Sequence, residues 1–143
     1  MTTRILMVAL AIAWVVALAA LVWMMSLAQL RPHHALLLLI HLNLVLQACV
    51  LLSVISAAIG MLSLRAGARP RLWIGVGGAF GWGALGGLYG AAGAQSGLIN
   101  MNPPIPFAMY SQFYSEALIV LLVGLTGALL CLGLLSRRRP HLD

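Results

Sequence analysis

The sequence predicts an all-α membrane protein with four transmembrane helices, an N-in/C-in topology and no soluble domain. The first reason is composition. Of 143 residues, 63% are hydrophobic and 7% charged, with mean hydropathy +1.07, whereas soluble domains carry about 25% charged residues. The second is length. Four apolar stretches, at about 5–30, 33–64, 72–97 and 108–135, each exceed the roughly 20 residues a helix needs to cross a bilayer. The third is the distribution of arginine. Arg4, the group Arg65, Arg69 and Arg71, and the run Arg137, Arg138 and Arg139 all fall on one side of this four-span arrangement, and only Arg31 falls on the other. Cytoplasmic loops hold the excess of positive charge, so both ends and the 65–71 loop are expected in the cytoplasm. The chain reads as one membrane domain, residues 1–143, multi-pass in a bacterial-type inner membrane. The formal charge of +6 would suggest nucleic acid in a soluble protein; here it marks sidedness, and no nucleic-acid partner is expected.

Span one is rich in Ala, Val and Leu and carries Trp23 near its outer end, where an indole suits the headgroup level. Arg31-Pro32 is expected to stop the helix, because Pro disfavours the α conformation in the residue before it. The 21 apolar residues from Ile5 to Met25 exceed the roughly 7–15 of a signal-peptide core, so residues 1–28 are read as a retained span. Span two opens with His33 and His34, followed by His41. His34 and His41 stand two turns apart, about 10 Å along a helix axis, too far to share one ion. They read as interfacial or hydrogen-bonded residues, and an outer copper site with Met101 and Met109 is a weaker alternative. Asn43 and Gln47 share a face and are expected to hydrogen-bond across helices. Cys49 and Cys131 lie within apolar runs as small core residues.

Span three holds ten of the fifteen glycines. Ala79, Gly83, Gly87 and Ala91 recur every four residues, as do Gly86, Gly90 and Ala94. Small residues let helix backbones approach closely in lipid. The stripe serves either plain helix packing or a pore-lining, oligomer-forming surface. The uncharged outer loop, about 98–107, contains Pro103, Pro104 and Pro106 and reads as rigid and non-helical. Span four begins with an aromatic girdle of Phe107, Tyr110, Phe113 and Tyr114 and ends at the Arg137 run.

Glu116 lies in span four. The only other acid is Asp143. An ionisable side chain within a span costs several kcal/mol if unpaired, and such groups tend to be functional. Three readings stand side by side: a hydrated carboxylate near the outer interface, a hydrogen bonder to Gln112 or Gln47, or a group that binds and releases a proton or cation within an assembly. Gln112, one turn before Glu116, and Thr126, deeper on the span, are the other ion-path candidates.

The segment Gly83-Ala84-Leu85-Gly86-Gly87-Leu88-Tyr89-Gly90, followed by Ser115-Glu116-Ala117-Leu118 and then Gly124-Leu125, resembles the MotA/TolQ/ExbB proton-channel family over about 72–135. The family's two motif threonines fall on Gly87 and Leu121, so those hydroxyls are absent, as are the family's large cytoplasmic segments. The resemblance implies a pentameric bundle around single-span helices of the ExbD/TolR type. A looser likeness to the proteolipid ring subunit of rotary ATPases rests on Ala91-Ala92-Gly93 and Asn102-Pro103, but that hairpin's polar loop is cytoplasmic.

The expectation is therefore a stator-like or proton-channel subunit that forms homo-oligomers through span three, with a non-conducting scaffold or accessory subunit as the alternative. No Ser-His-acid set, metal-ligand cluster or phosphate-cradling loop with a Lys is present, so neither enzyme activity nor a cofactor or metal is expected.

Overall fold

The computed structural model describes residues 2–30, 34–65, 69–100 and 106–137. They form five helices: α1 (Thr2–Leu27), α2 (His34–Ile40), α3 (Leu44–Arg65), α4 (Arg69–Asn100) and α5 (Phe107–Arg137). No strand occurs among the described residues. The all-α expectation is met, and α1, α3 and α5 are each long and apolar enough to cross a membrane. The glycine-rich α4 is not among these three, although its 32 residues extend about 48 Å at 1.5 Å per residue. The exposed faces carry large apolar side chains, including Ile5, Ile12, Leu51, Ile59, Ile74 and Leu88, as a lipid-facing surface requires.

The first helix ends earlier than the Arg31-Pro32 signal predicts. Gln29 takes a left-handed conformation, φ 54°. The Leu30 amide donates to the Met25 carbonyl at 2.9 Å and the Gln29 amide to Ser26 at 3.1 Å. This 6→1 and 5→2 pair is a Schellman cap, a motif that usually places Gly at the left-handed position. Leu30 completes it by packing in the cluster of Leu21, Met25, Leu38 and Ile119. A left-handed residue with a Cβ carries about 1–2 kcal/mol of strain. Gln29→Gly should therefore raise the thermal midpoint in detergent by a few degrees; an unchanged or lower midpoint would refute the strain.

The expected second span, 33–64, is two helices rather than one, with a break at 41–43. Asn43 causes it. Its Oδ1 accepts from the Leu46 amide at 2.9 Å, the N-cap bond that starts α3. The side-chain amide of Gln47 donates to the Ile40 carbonyl at 3.2 Å, satisfying an acceptor that the break frees. Asn43 and Gln47 thus make local bonds rather than the expected cross-helix ones, because a polar side chain beside an opened backbone finds its partner within one turn. Asn43→Ala should cost about 1 kcal/mol and speed hydrogen exchange at the Leu46 amide; unchanged exchange there would remove the cap from the explanation.

Helices α3, α4 and α5 form the core, and α1 packs on α5. Helix α4 runs antiparallel to both core neighbours. Against α5 the facing pairs are Gly83 with Gly124, Gly90 with Ala117, and Gly97 with Tyr110, a seven-residue step on each helix. That step is the period of a coiled-coil seam. Against α3, a Cβ on Gly75 would stand 2.5 Å from Gly60 Cα, and one on Gly86 would stand 2.8 Å from Cys49 Cβ. Ser53 donates to the Ala79 carbonyl at 3.1 Å across the α3–α4 contact. Leu72, Ala79, Val120, Ala128, Cys131 and Leu132 are fully buried between these helices. Glycine inside a helix costs about 1 kcal/mol relative to Ala. In lipid, close backbone contact offsets that cost, because apolar burial no longer drives one helix onto another.

Candidate functional site

The α4–α5 seam opens at one end of the bundle. This end holds the start of α3, the end of α4 and the start of α5. The arginines of the described helices, Arg4, Arg65, Arg69, Arg71 and Arg137, lie at the other end, at the starts of α1 and α4 and the ends of α3 and α5. Because α4 and α5 run antiparallel in register, Tyr110, Phe113 and Glu116 of α5 come to face Tyr89, Gly93 and Gly97 of α4. Asn43 and Leu46 of α3 close the third side. Together these residues line an open cavity of about 230 Å³. Its space comes partly from missing side chains: a Cβ at Gly93 would meet nothing within 4 Å.

Glu116 is partly buried and lines this cavity. It has no ion-pair or hydrogen-bond partner among the described residues. Neither expected partner reaches it: Gln47 is bonded to Ile40, and Gln112 is exposed on the surface of α5. The aromatic girdle, by contrast, is tied down. The Tyr110 hydroxyl donates to the Gly97 carbonyl at 3.3 Å, and that of Tyr114 donates to Gln95 Oε1 at 2.8 Å. The Tyr110 and Phe113 rings lie 6.0 Å apart at a 49° tilt. These bonds pin α4 to α5 around the mouth of the cavity and fix its aromatic wall. Glu116 is nine residues into α5, about 14 Å along its axis. A helix of 31 residues overhangs a 30 Å hydrocarbon core by about 8 Å at each end. The carboxylate would then sit about 6 Å inside the apolar boundary of a bilayer centred on α5.

Thr126 is on a different face. Ten residues turn a helix through 1000°, about 80° short of whole turns. Thr126 accordingly lines a second, apolar groove with Trp14, Ser53 and Ala57. Its hydroxyl accepts from Trp14 Nε1 at 3.0 Å and donates to the Leu122 carbonyl at 2.7 Å. Thr126 thus ties α1 to α5 away from Glu116, whereas Gln112 lies one turn from Glu116 on the same helix but does not line the cavity.

The small-residue stripe divides between contacts within the chain. Gly83 and Gly90 meet α5, Gly86 meets both Val120 of α5 and Cys49 of α3, and Gly87 lies against Leu121. Ala79 and Ala94 are buried. Ala91 and Gly87 line a third groove, beside Met24 of α1. The positions where the MotA/TolQ/ExbB family has threonines, Gly87 and Leu121, thus face each other on the opposite side of the α4–α5 seam from the Glu116 cavity. Among the described residues no three His, Cys, Asp or Glu side chains form a metal site. Met101 and His33 lie outside the described residues.

Sequence reasoning missed Tyr89 and gave Asn43 another role. The signal that could have found them is the seven-residue pairing of Gly83, Gly90 and Gly97 with Gly124, Ala117 and Tyr110, which puts Glu116 opposite the segment from Tyr89 to Gly93. No family model, curated protein or solved structure matches the chain.

Proposed function

We propose that the protein is a four-span subunit of a bacterial-type inner membrane, N-in and C-in, that binds and releases a proton or small cation at Glu116. One observation carries the reading: a carboxylate with no counter-charge among the described residues lines an open cavity inside a bundle of apolar helices. An intramembrane carboxylate without a described partner is a candidate site for an exchangeable proton or cation. The antiparallel α4–α5 pair also supports α4 as the fourth span, since α4 lies along α3 and α5 for most of its length. The resemblance to MotA/TolQ/ExbB proteins supports a stator-like or channel role in a homo-oligomer with an ExbD/TolR-type partner.

A specific observation favours a second reading, a non-conducting scaffold or accessory subunit. From Gly90 to Gly83 the backbones of α4 and α5 touch, which closes the seam between these two helices beneath Glu116. A conducting path would then avoid this seam, as it would if it ran between subunits. Native mass spectrometry of the detergent-solubilised protein should show an oligomer; a monomer would favour the scaffold. Vesicles containing the protein, with any partner co-purified, should discharge an imposed proton gradient faster than empty vesicles. Equal rates would overturn the conducting role. Cysteines introduced at Arg71 and Ser96, near the two ends of α4, should label from opposite faces of the membrane; labelling from one face would overturn the four-span topology.

A further inference from the structure

We propose that the cavity beside Glu116 binds a small organic ammonium cation, held by the carboxylate and bordered by the rings of Tyr89, Tyr110 and Phe113. The inference rests on the reading of Glu116 as a cation-exchanging carboxylate and names the class of cation. Three features of the site select that class.

The charge comes first. Glu116 has no cationic partner among the described residues, and Arg71 lies 22 residues from Gly93 along α4, about 33 Å away. No described residue supplies the counter-ion. The donor set comes second. A hard metal ion such as Ca²⁺ takes about 6–8 oxygens, whereas this cavity has one carboxylate, the Asn43 carbonyl and the tyrosine hydroxyls. Three aromatic rings beside a lone carboxylate match the cation–π recognition of alkylammonium groups instead. The cage is partly preformed: the Tyr110 ring is held by the bond to Gly97 and by the Phe113 ring. Asn43 Oδ1, which accepts from Leu46, keeps a second lone pair for an ammonium N–H. Size comes third. At about 230 Å³ the cavity is smaller than the roughly 300–1,000 Å³ of drug-sized sites and suits a group such as choline or ethanolamine. Near the apolar boundary, that group could be a soluble cation or the headgroup of a lipid.

The test is calorimetric titration of the full-length protein in detergent with choline and ethanolamine, using sodium at equal ionic strength as the control. One saturable site is expected for the ammonium compounds and none for sodium. Glu116→Gln should weaken binding by at least about tenfold, and Tyr89→Leu or Phe113→Leu by about three- to thirtyfold. Tyr89 and Phe113 are each about half exposed (51% and 49%), so these variants should keep the parent's melting curve. Trp23→Leu, on the outer face of α1, should bind as the parent does. In neutral maltoside micelles, weaker choline binding after addition of short-chain phosphatidylcholine, which adds no net charge, would identify a headgroup as the occupant; equal binding would identify a soluble cation. Absence of saturable binding, or affinity unchanged by the aromatic variants, would overturn the inference. Glu116-dependent proton discharge without ammonium binding would overturn this inference and leave the proposed function standing.

Discussion

Glu116→Gln should slow proton discharge in reconstituted vesicles to the rate of empty vesicles, while the purified protein keeps its helix content, oligomeric state and melting curve. Gln has nearly the same shape and keeps an amide oxygen toward the cavity, but it cannot take up and release a proton. The fold does not depend on the charge, because no described side chain uses the carboxylate as a partner. The seam that holds the site lies deeper, at Gly83, Gly90, Ala117 and Gly124. Stability should therefore change by no more than about 0.5 kcal/mol, the usual range for a substitution outside a packed network. A variant that discharges the gradient as fast as the parent would eliminate Glu116 from the ion path. A variant that fails to fold would show that the carboxylate has a structural partner.

Gly83→Leu should disrupt the bundle. A Cβ at Gly83 would lie 2.6 Å from Gly124 Cα and 3.1 Å from Gly124 N. Both are backbone atoms, so no rotamer change relieves the clash. Helices α4 and α5 would have to separate along the seam, losing the contacts of Gly90 with Ala117 and of Gly97 with Tyr110, which support the cavity. Overpacking typically costs about 1–3 kcal/mol and more where backbone must move; here the upper end is expected, read as a lower melting temperature and faster proteolysis. Gly81→Leu provides the contrast. It is on the same helix, but a Cβ there would meet nothing within 4 Å, and replacing Gly raises helix propensity by up to about 1 kcal/mol. Its fold should be unaffected or slightly stabilised. Equal destabilisation by the two substitutions would show that helix propensity, not the seam, governs α4.

The sequence by itself determined the all-α class and its apolar, membrane-type helices. Hydropathy and chain length are local quantities, and backbone groups in lipid must bond within their own helix. It also singled out Glu116, since a lone acid among apolar residues is visible without any fold. Only the tertiary structure decided the rest. The break at 41–43 was hidden because Asn43 and Gln47 look the same in sequence whether they bond locally or across helices. The small-residue stripe was legible as a stripe, but its partners were not. Which face of α4 meets α5 depends on register, and the seven-residue pairing of Gly83 with Gly124 and Gly97 with Tyr110 sets it. That same register brings Tyr89 beside Glu116 and turns Thr126 away to Trp14. Residues far apart in sequence meet only when helices pack, so the chain alone marked the carboxylate but not the aromatic cavity around it.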